Sequence, residues 1–139
     1  MFVDASAMIA IITGEPEADT LANALEAAQV RMTSPLAIYE AVVGVSRKRH
    51  AGIEAAQHYV DEFLRIARVE TVPVNATDAA KALSAFARFG KGRGHPAQLN
   101  MGDCFAYASA MSHRVPLLFK GDDFSRTDIA VAVSIERDI

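Results

Sequence analysis

Short apolar runs alternate with longer stretches of helical periodicity along nearly the whole chain, and this alternation constrains the fold more than any single motif. Met1-Phe2-Val3, Val30-Arg31-Met32-Thr33, Val69 to Val74, Val115 to Phe119 and Ala130 to Ile135 read as strands. Between them, Ala7 to Ile12 reads as a helix that Ser6 is able to cap and Gly14 closes. Further helices are expected from Pro16 through Leu25, from Pro35 behind a Ser34 cap, and from about Ile53. Two more run from Ala76 to Phe89, ended by Gly90, and from Asn100 onward. Apolar strands alternating with helices belong to a parallel sheet covered on both faces. Hairpin signals such as Asn-Gly are absent, which argues against antiparallel pairing. The expected fold is α/β, a three-layer domain with a central, mainly parallel sheet of four to five strands flanked by helices.

With 139 residues, the chain has the length of one ordinary domain, and residues 1–139 are expected to form one. Hydrophobic residues make up 51% of it and the net charge is only −3, so intrinsic disorder is excluded. Cys104 is the sole cysteine; an internal disulfide framework and a C-x-x-C metal or redox site are both impossible. It sits on an apolar helix and reads as a small core residue. No apolar run approaches the roughly 20 residues of a membrane span, and Asp4 falls too early for a signal peptide. A cytoplasmic protein without a membrane partner is expected. Mild acidity speaks against a general nucleic-acid coat but leaves room for a local basic patch.

In open α/β sheets, ligands bind beyond the carboxyl ends of the strands. That is where this reading places Asp4, after the first strand, and Asp122 and Asp123, after the fourth. Asp103 falls in the first turn of the preceding helix, and Glu40 about a turn and a half into the helix after the second strand. Singly, each has an ordinary explanation. Asp4 serves equally well as a helix cap, Asp103 suits a helix dipole, Glu40 fits a solvated face, and Asp122-Asp123 beside Gly121 fits a turn. Jointly they are costly, since each pair of carboxylates brought to about 4 Å repels by roughly 4 kcal/mol at an effective dielectric near 20. A fold that gathers them needs protons or a cation. Hard oxygen donors select Mg²⁺, with Mn²⁺ as a substitute, and the matching chemistry is phosphodiester hydrolysis.

Four segments together carry a resemblance. They are Val3-Asp4-Ala5-Ser6-Ala7, Ala37-Ile38-Tyr39-Glu40, Leu99-Asn100-Met101-Gly102-Asp103-Cys104 with Phe105-Ala106-Tyr107-Ala108, and Leu117 through Ile129 with its Lys120-Gly121-Asp122-Asp123-Phe124 core. In order and spacing they resemble the PIN-domain ribonucleases, most closely the VapC toxins of bacterial toxin–antitoxin pairs. The resemblance implies a Mg²⁺-dependent endoribonuclease acting on RNA, a homodimer, open to larger assembly, and a cognate antitoxin of the VapB kind that inhibits it. It further implies that Asp4, Glu40 and Asp103 are core acids. The fourth acid corresponds to Asp122 or Asp123; Asp122 is the favoured metal-facing residue, with Asp123 and Asp128 expected to fix the turn. Ser6 and Asn100 match supporting polar positions, and a plain capping role fits each as well.

RNA approaching an acidic pocket needs flanking cations. Arg47, Lys48 and Arg49 end the helix that carries Glu40, and Lys91, Arg93 and Lys120 add positive charge. Solvated charges at helix ends account for each one singly; as a set they are expected phosphate contacts. His95, in the Gly-rich loop, reads as structural. The stripe Tyr39, Val42, Val43 with Tyr59, Phe63 and Ile66 reads as core, and the resemblance makes the groove between its two helices an antitoxin dock. Two other classes compete: a metal-dependent phosphohydrolase of another α/β type and a non-catalytic binding module on this fold. A haloacid-dehalogenase phosphatase needs a second Asp at position 6, which is Ser, and a phospho-acceptor domain needs one after Val72-Pro73-Val74, which Asn75 does not supply. A binding module is expected to lose core acids, and none is lost.

Overall fold

A computed structural model describes residues 1–133. Its elements follow in the order β1 (Phe2–Val3), α1 (Ala5–Thr13), α2 (Ala18–Ala27), β2 (Met32–Thr33), α3 (Pro35–Arg49), α4 (Ile53–Ile66), β3 (Glu70–Thr71), α5 (Ala76–Phe89), α6 (Met101–His113) and β4 (Leu117–Leu118). The strands form one sheet in the order β3-β2-β1-β4, and all three pairings are parallel, with Phe2 opposite both Met32 and Leu117. Six helices cover it, giving the expected three-layer α/β architecture, with wholly rather than mainly parallel pairing. Helices α1 to α4 pack together, while α5 lies along α6. No helix among the described residues is long and apolar enough to cross a membrane.

The strands are short because only their centres are buried ladders. Phe2, Val3, Leu117 and Leu118 are all but inaccessible, whereas the third strand contracts to Glu70–Thr71, exposed at the sheet edge. The fifth strand expected at Ala130 to Ile135 is represented by one parallel bridge, Leu117 to Val131; its last residues lie outside the described ones. The second helix begins at Ala18, not at Pro16. Pro16 and Glu17 stand in a turn closed by Ala18 N–H donating to Glu15 O at 2.9 Å.

From β1 the chain steps one way to β2 and β3, then returns to place β4 on the opposite side. The crevice beyond the carboxyl ends of β1 and β4 is thus the topological switch point, where ligands bind in open parallel sheets. Helix α6, which leads into β4, is clamped to α5 at its far end. There Asp78, the capping-box acid of α5, accepts from Ser112 Oγ at 2.7 Å.

Candidate active site

Asp4 is the first residue past β1 and the N-cap of α1. It is 4% exposed, and its Oδ2 accepts from Ser6 N–H at 3.0 Å and Ser6 Oγ–H at 2.6 Å. The cap is therefore Asp4 rather than Ser6. Ser6 Oγ in turn accepts from the Lys120 amide at 3.0 Å. One hydroxyl thus ties the segment after β4 to the acid after β1, and both sides of the switch point share a fixed separation.

Asp103 occupies the third position of α6 and forms a full capping box with Asn100. Asn100 Oδ1 accepts from Asp103 N–H at 2.9 Å, and Asp103 Oδ2 accepts from Asn100 N–H at 3.1 Å. The box occupies Oδ2 and does not engage Oδ1. Capping therefore does not use up this carboxylate, because only one of its oxygens takes part in the box.

Glu40 reaches across from α3, and its carboxylate lies over the Cα of Gly102, filling the space that a side chain there would take. It is only partly exposed, not on a solvated face. Asp123 adds a fourth negative charge, one that bears on both Asp4 and Asp103. The carbonyl of Asp122 accepts from Ser125 Oγ at 2.7 Å within the turn.

The electrostatics follow from this gathering. Burial, then the charges of Asp4 and Asp103, pushes Glu40 up to about 7. Burial also raises Asp103 to about 7, with Asp4 and Asp123 adding to it against the opposing Asn100 amide. Asp4 is raised as well, chiefly by burial, although its hydrogen bonds from Ser6 pull the other way. Among the described residues no lysine or arginine pairs with any of the three. Such a cluster is an unbalanced negative charge that a hard cation would relieve.

The donor set fits Mg²⁺. Among the described residues no three acidic, His or Cys side chains form a ready-made inner shell. Mg²⁺ keeps several waters and needs only one or two carboxylates directly, so it does not require a full inner shell of side chains. Among the described residues a softer metal has no Cys or His beside these acids to select it except Cys104, which is buried and pushed up to about 11, the wrong direction for a thiolate ligand.

The six candidate RNA cations divide. Arg47, Lys48, Arg49, Lys91 and Arg93 are exposed, and among the described residues the side chains of Arg47, Lys91 and Arg93 enter no ion pair. Lys48 forms an ion pair with Glu15. Lys120 Nζ stands 2.8 Å from the same carboxylate and 3.7 Å from Glu17 Oε2. Arg49 donates to Ile12 O and stacks 5.1 Å over the Tyr59 ring. His95 is structural, its Nδ1 accepting from the Ala97 amide at 3.0 Å. The α3–α4 stripe is not uniformly core. Val42 is buried, but Tyr39, Tyr59 and Ile66 are exposed at 69%, 43% and 70%, because periodicity sets a shared face and not what covers it. Gly102 and Glu15 were not among the expected site residues. The available signal for Gly102 was a glycine inside a helical turn, a position that disfavours glycine unless something approaches its backbone.

Four carboxylates at the switch point of a four-stranded parallel sheet, one borrowed from a neighbouring helix over a glycine, define a class. The chain belongs to the PIN-domain family, whose model matches residues 1–130. Within that family it falls among the VapC type. It is 39% identical to a VapC ribonuclease of Rhizobium meliloti over 139 aligned residues, covering 92% of this chain and 98% of that protein. It is 41% identical to the ribonuclease VapC28 of Mycobacterium tuberculosis over 133 residues, covering 96% and 98%. The ribonuclease VapC30 of the same organism is 39% identical over 130 residues, covering 94% and 96%.

Proposed function

We propose that the chain is a Mg²⁺-dependent endoribonuclease of the toxin kind, held in check by a VapB-like antitoxin. The observation that carries this reading is the convergence of Asp4, Glu40, Asp103 and Asp123 at the switch point with no cation among the described residues to balance them. The names of its relatives, ribonucleases all, agree with it. Asp4 and Asp103 would hold the cation, directly or through its waters. Asp123 stands beside Asp122 as a candidate for the fourth acid, because its charge bears on both Asp4 and Asp103. When bound, the cation neutralises negative charge developing on the phosphoryl oxygens. Glu40 stands across the crevice on a separate helix, placed to orient the attacking water and take its proton. Water as nucleophile leaves 5′-phosphate and 3′-hydroxyl ends and needs no 2′-hydroxyl.

Of the six candidates, exposed Arg47, Lys91 and Arg93 would meet phosphates without giving up an ion pair, and Arg49 would do so by giving up its bond to the Ile12 carbonyl. The bared aromatic and aliphatic side chains Tyr39, Tyr59 and Ile66 support an antitoxin dock on α3 and α4. Leu83, Phe86 and Met101, exposed at 71%, 39% and 66% along α5 and α6, support a homodimer face. The test is cleavage of a mixed RNA pool with Mg²⁺ or with chelator, alongside Asp4→Asn, which keeps the helix cap. Discrete cuts with 5′-phosphate ends, lost to chelator and to the variant, are expected. Ends bearing 2′,3′-cyclic phosphate, or cutting that survives both treatments, would overturn the reading.

A further inference from the structure

The segment from Lys120 to Ile129 carries the fourth acid into a cluster that repels it, so something must hold it there. Its beginning is held by the Lys120 amide on Ser6 Oγ at 3.0 Å. Its middle is a turn closed on itself, with Thr127 Oγ1 donating to Phe124 O at 2.7 Å and Phe124 packed edge-on against Phe119 at 5.0 Å. Its far end is held by Asp128. One oxygen, Oδ1, accepts the phenolic proton of Tyr107 at 2.5 Å, and Oδ2 faces the Arg88 guanidinium at 3.3 Å.

The location of Tyr107 makes this contact more than a surface ion pair. Tyr107 is 5% exposed and lies on α6 four residues after Asp103, so the two share a helix face about 6 Å apart along the axis. The helix that presents one core acid therefore also presents the anchor for the loop that presents another. Arg88 comes from the last turn of α5, where it lies 4.5 Å over the Phe89 ring, and Phe89 packs 5.8 Å from Tyr107. The anchor is thus embedded in the α5–α6 seam, while Asp128 itself remains half exposed, at 48%.

We infer that Tyr107 and Asp128 form a latch that positions the fourth acid against Asp103, and that the pair sets cation affinity without touching cation or substrate. This rests on the acid cluster being a metal site. A phenol–carboxylate bond to a rigid helix suits the task, because a hydrogen bond to a charged acceptor is directional and about twice as strong as a neutral one. Small misplacements of a positioning group are enough to cost about 100-fold in rate.

The test is Tyr107→Phe, which deletes one oxygen and keeps the ring packing, with Asp128→Ala as a second variant on an exposed residue. Direct Mn²⁺ binding to the RNA-free protein is measured for both, with cleavage against Mg²⁺ concentration as a second readout. Expected are a Mn²⁺ dissociation constant raised by about 10-fold and a matching rise in half-saturating Mg²⁺. Cleavage is expected to recover at saturating metal and circular dichroism to be unchanged. Should Tyr107→Phe fail to fold, Asp128→Ala decides. Wild-type affinity and wild-type metal dependence in a folded variant overturn the latch. If the wild-type protein binds Mn²⁺ no better than Asp4→Asn, the metal site itself fails, and that outcome is distinct from a latch that makes no difference.

Discussion

The carboxylate of Glu40 rests on the bare Cα of Gly102, one residue before Asp103, so that two acids from different helices meet only because position 102 has no side chain. A Cβ at this position would collide with the end of the Glu40 side chain. That end is flexible, so the carboxylate, not the backbone, would give way.

Gly102→Ala therefore separates stability from activity. Alanine is favoured over glycine in a helix by up to about 1 kcal/mol, and moving Glu40 outward relieves its repulsion by Asp4 and Asp103. The expected result is a melting temperature equal to or above that of the wild type, with RNA cleavage reduced by about 100-fold. Thermal melting and cleavage of the same preparation check it. A variant that is fully active, or one that is unfolded, contradicts the packing argument.

A second expectation concerns pH. In the native chain Glu40 is raised from 4.5 and Asp103 from 3.8, each to about 7, first by burial and then by neighbouring acids. Both groups bind protons more tightly folded than unfolded. Their contribution to stability is complete below the ordinary carboxylate range and is lost as pH rises through 7. Without divalent metal, the free energy of unfolding should fall between pH 5 and pH 8 by an amount on the order of 1–3 kcal/mol, and the melting temperature should fall with it. Glu40→Gln should flatten that decline, and Mg²⁺ at pH 8 should reverse it, because the ionised carboxylates are the ones that bind. A metal-free midpoint that rises across this window is incompatible with the cluster as described.

Much of this was legible in the residues. The apolar runs ending at Asp4 and before Lys120 announced parallel strands, and Asn100 with Asp103 announced a helix start, because those signals are local. What required the fold was every relation between segments. Whether Asp103 does more than cap its helix has no local answer, since the box uses one oxygen and the acids around it come from distant segments. Asp122 and Asp123 are indistinguishable by spacing, and that the charge of Asp123 bears on Asp4 and Asp103 follows from the path of the turn, which no local signal gives. The Tyr39, Tyr59 and Ile66 stripe has core periodicity and lies open, because no element among the described residues covers it. Lys48 and Lys120 looked equivalent to Arg47 until Glu15, distant from both in sequence, was seen to hold them.

That last relation makes a prediction of its own. Glu15 is 11% exposed and neutralises two of the six candidate RNA cations, Lys48 at the end of α3 and Lys120 after β4. An RNA phosphate that used either lysine would first have to displace this carboxylate. Glu15→Gln keeps the side chain's size and removes its charge. Binding should be measured in the Asp4→Asn background, where RNA is not consumed. The expected result is tighter RNA binding by several-fold and a log–log salt slope steeper by about 1, the signature of one or two added phosphate contacts. Some stability should be lost, on the order of 1 kcal/mol, because both lysines are partly screened by solvent. Adding Lys48→Ala or Lys120→Ala to Glu15→Gln should return affinity and slope toward the parent, and the lysine whose removal does so is the one that meets RNA. An unchanged slope in Glu15→Gln would mean that both lysines serve only to tie the ends of α1, α3 and β4 together.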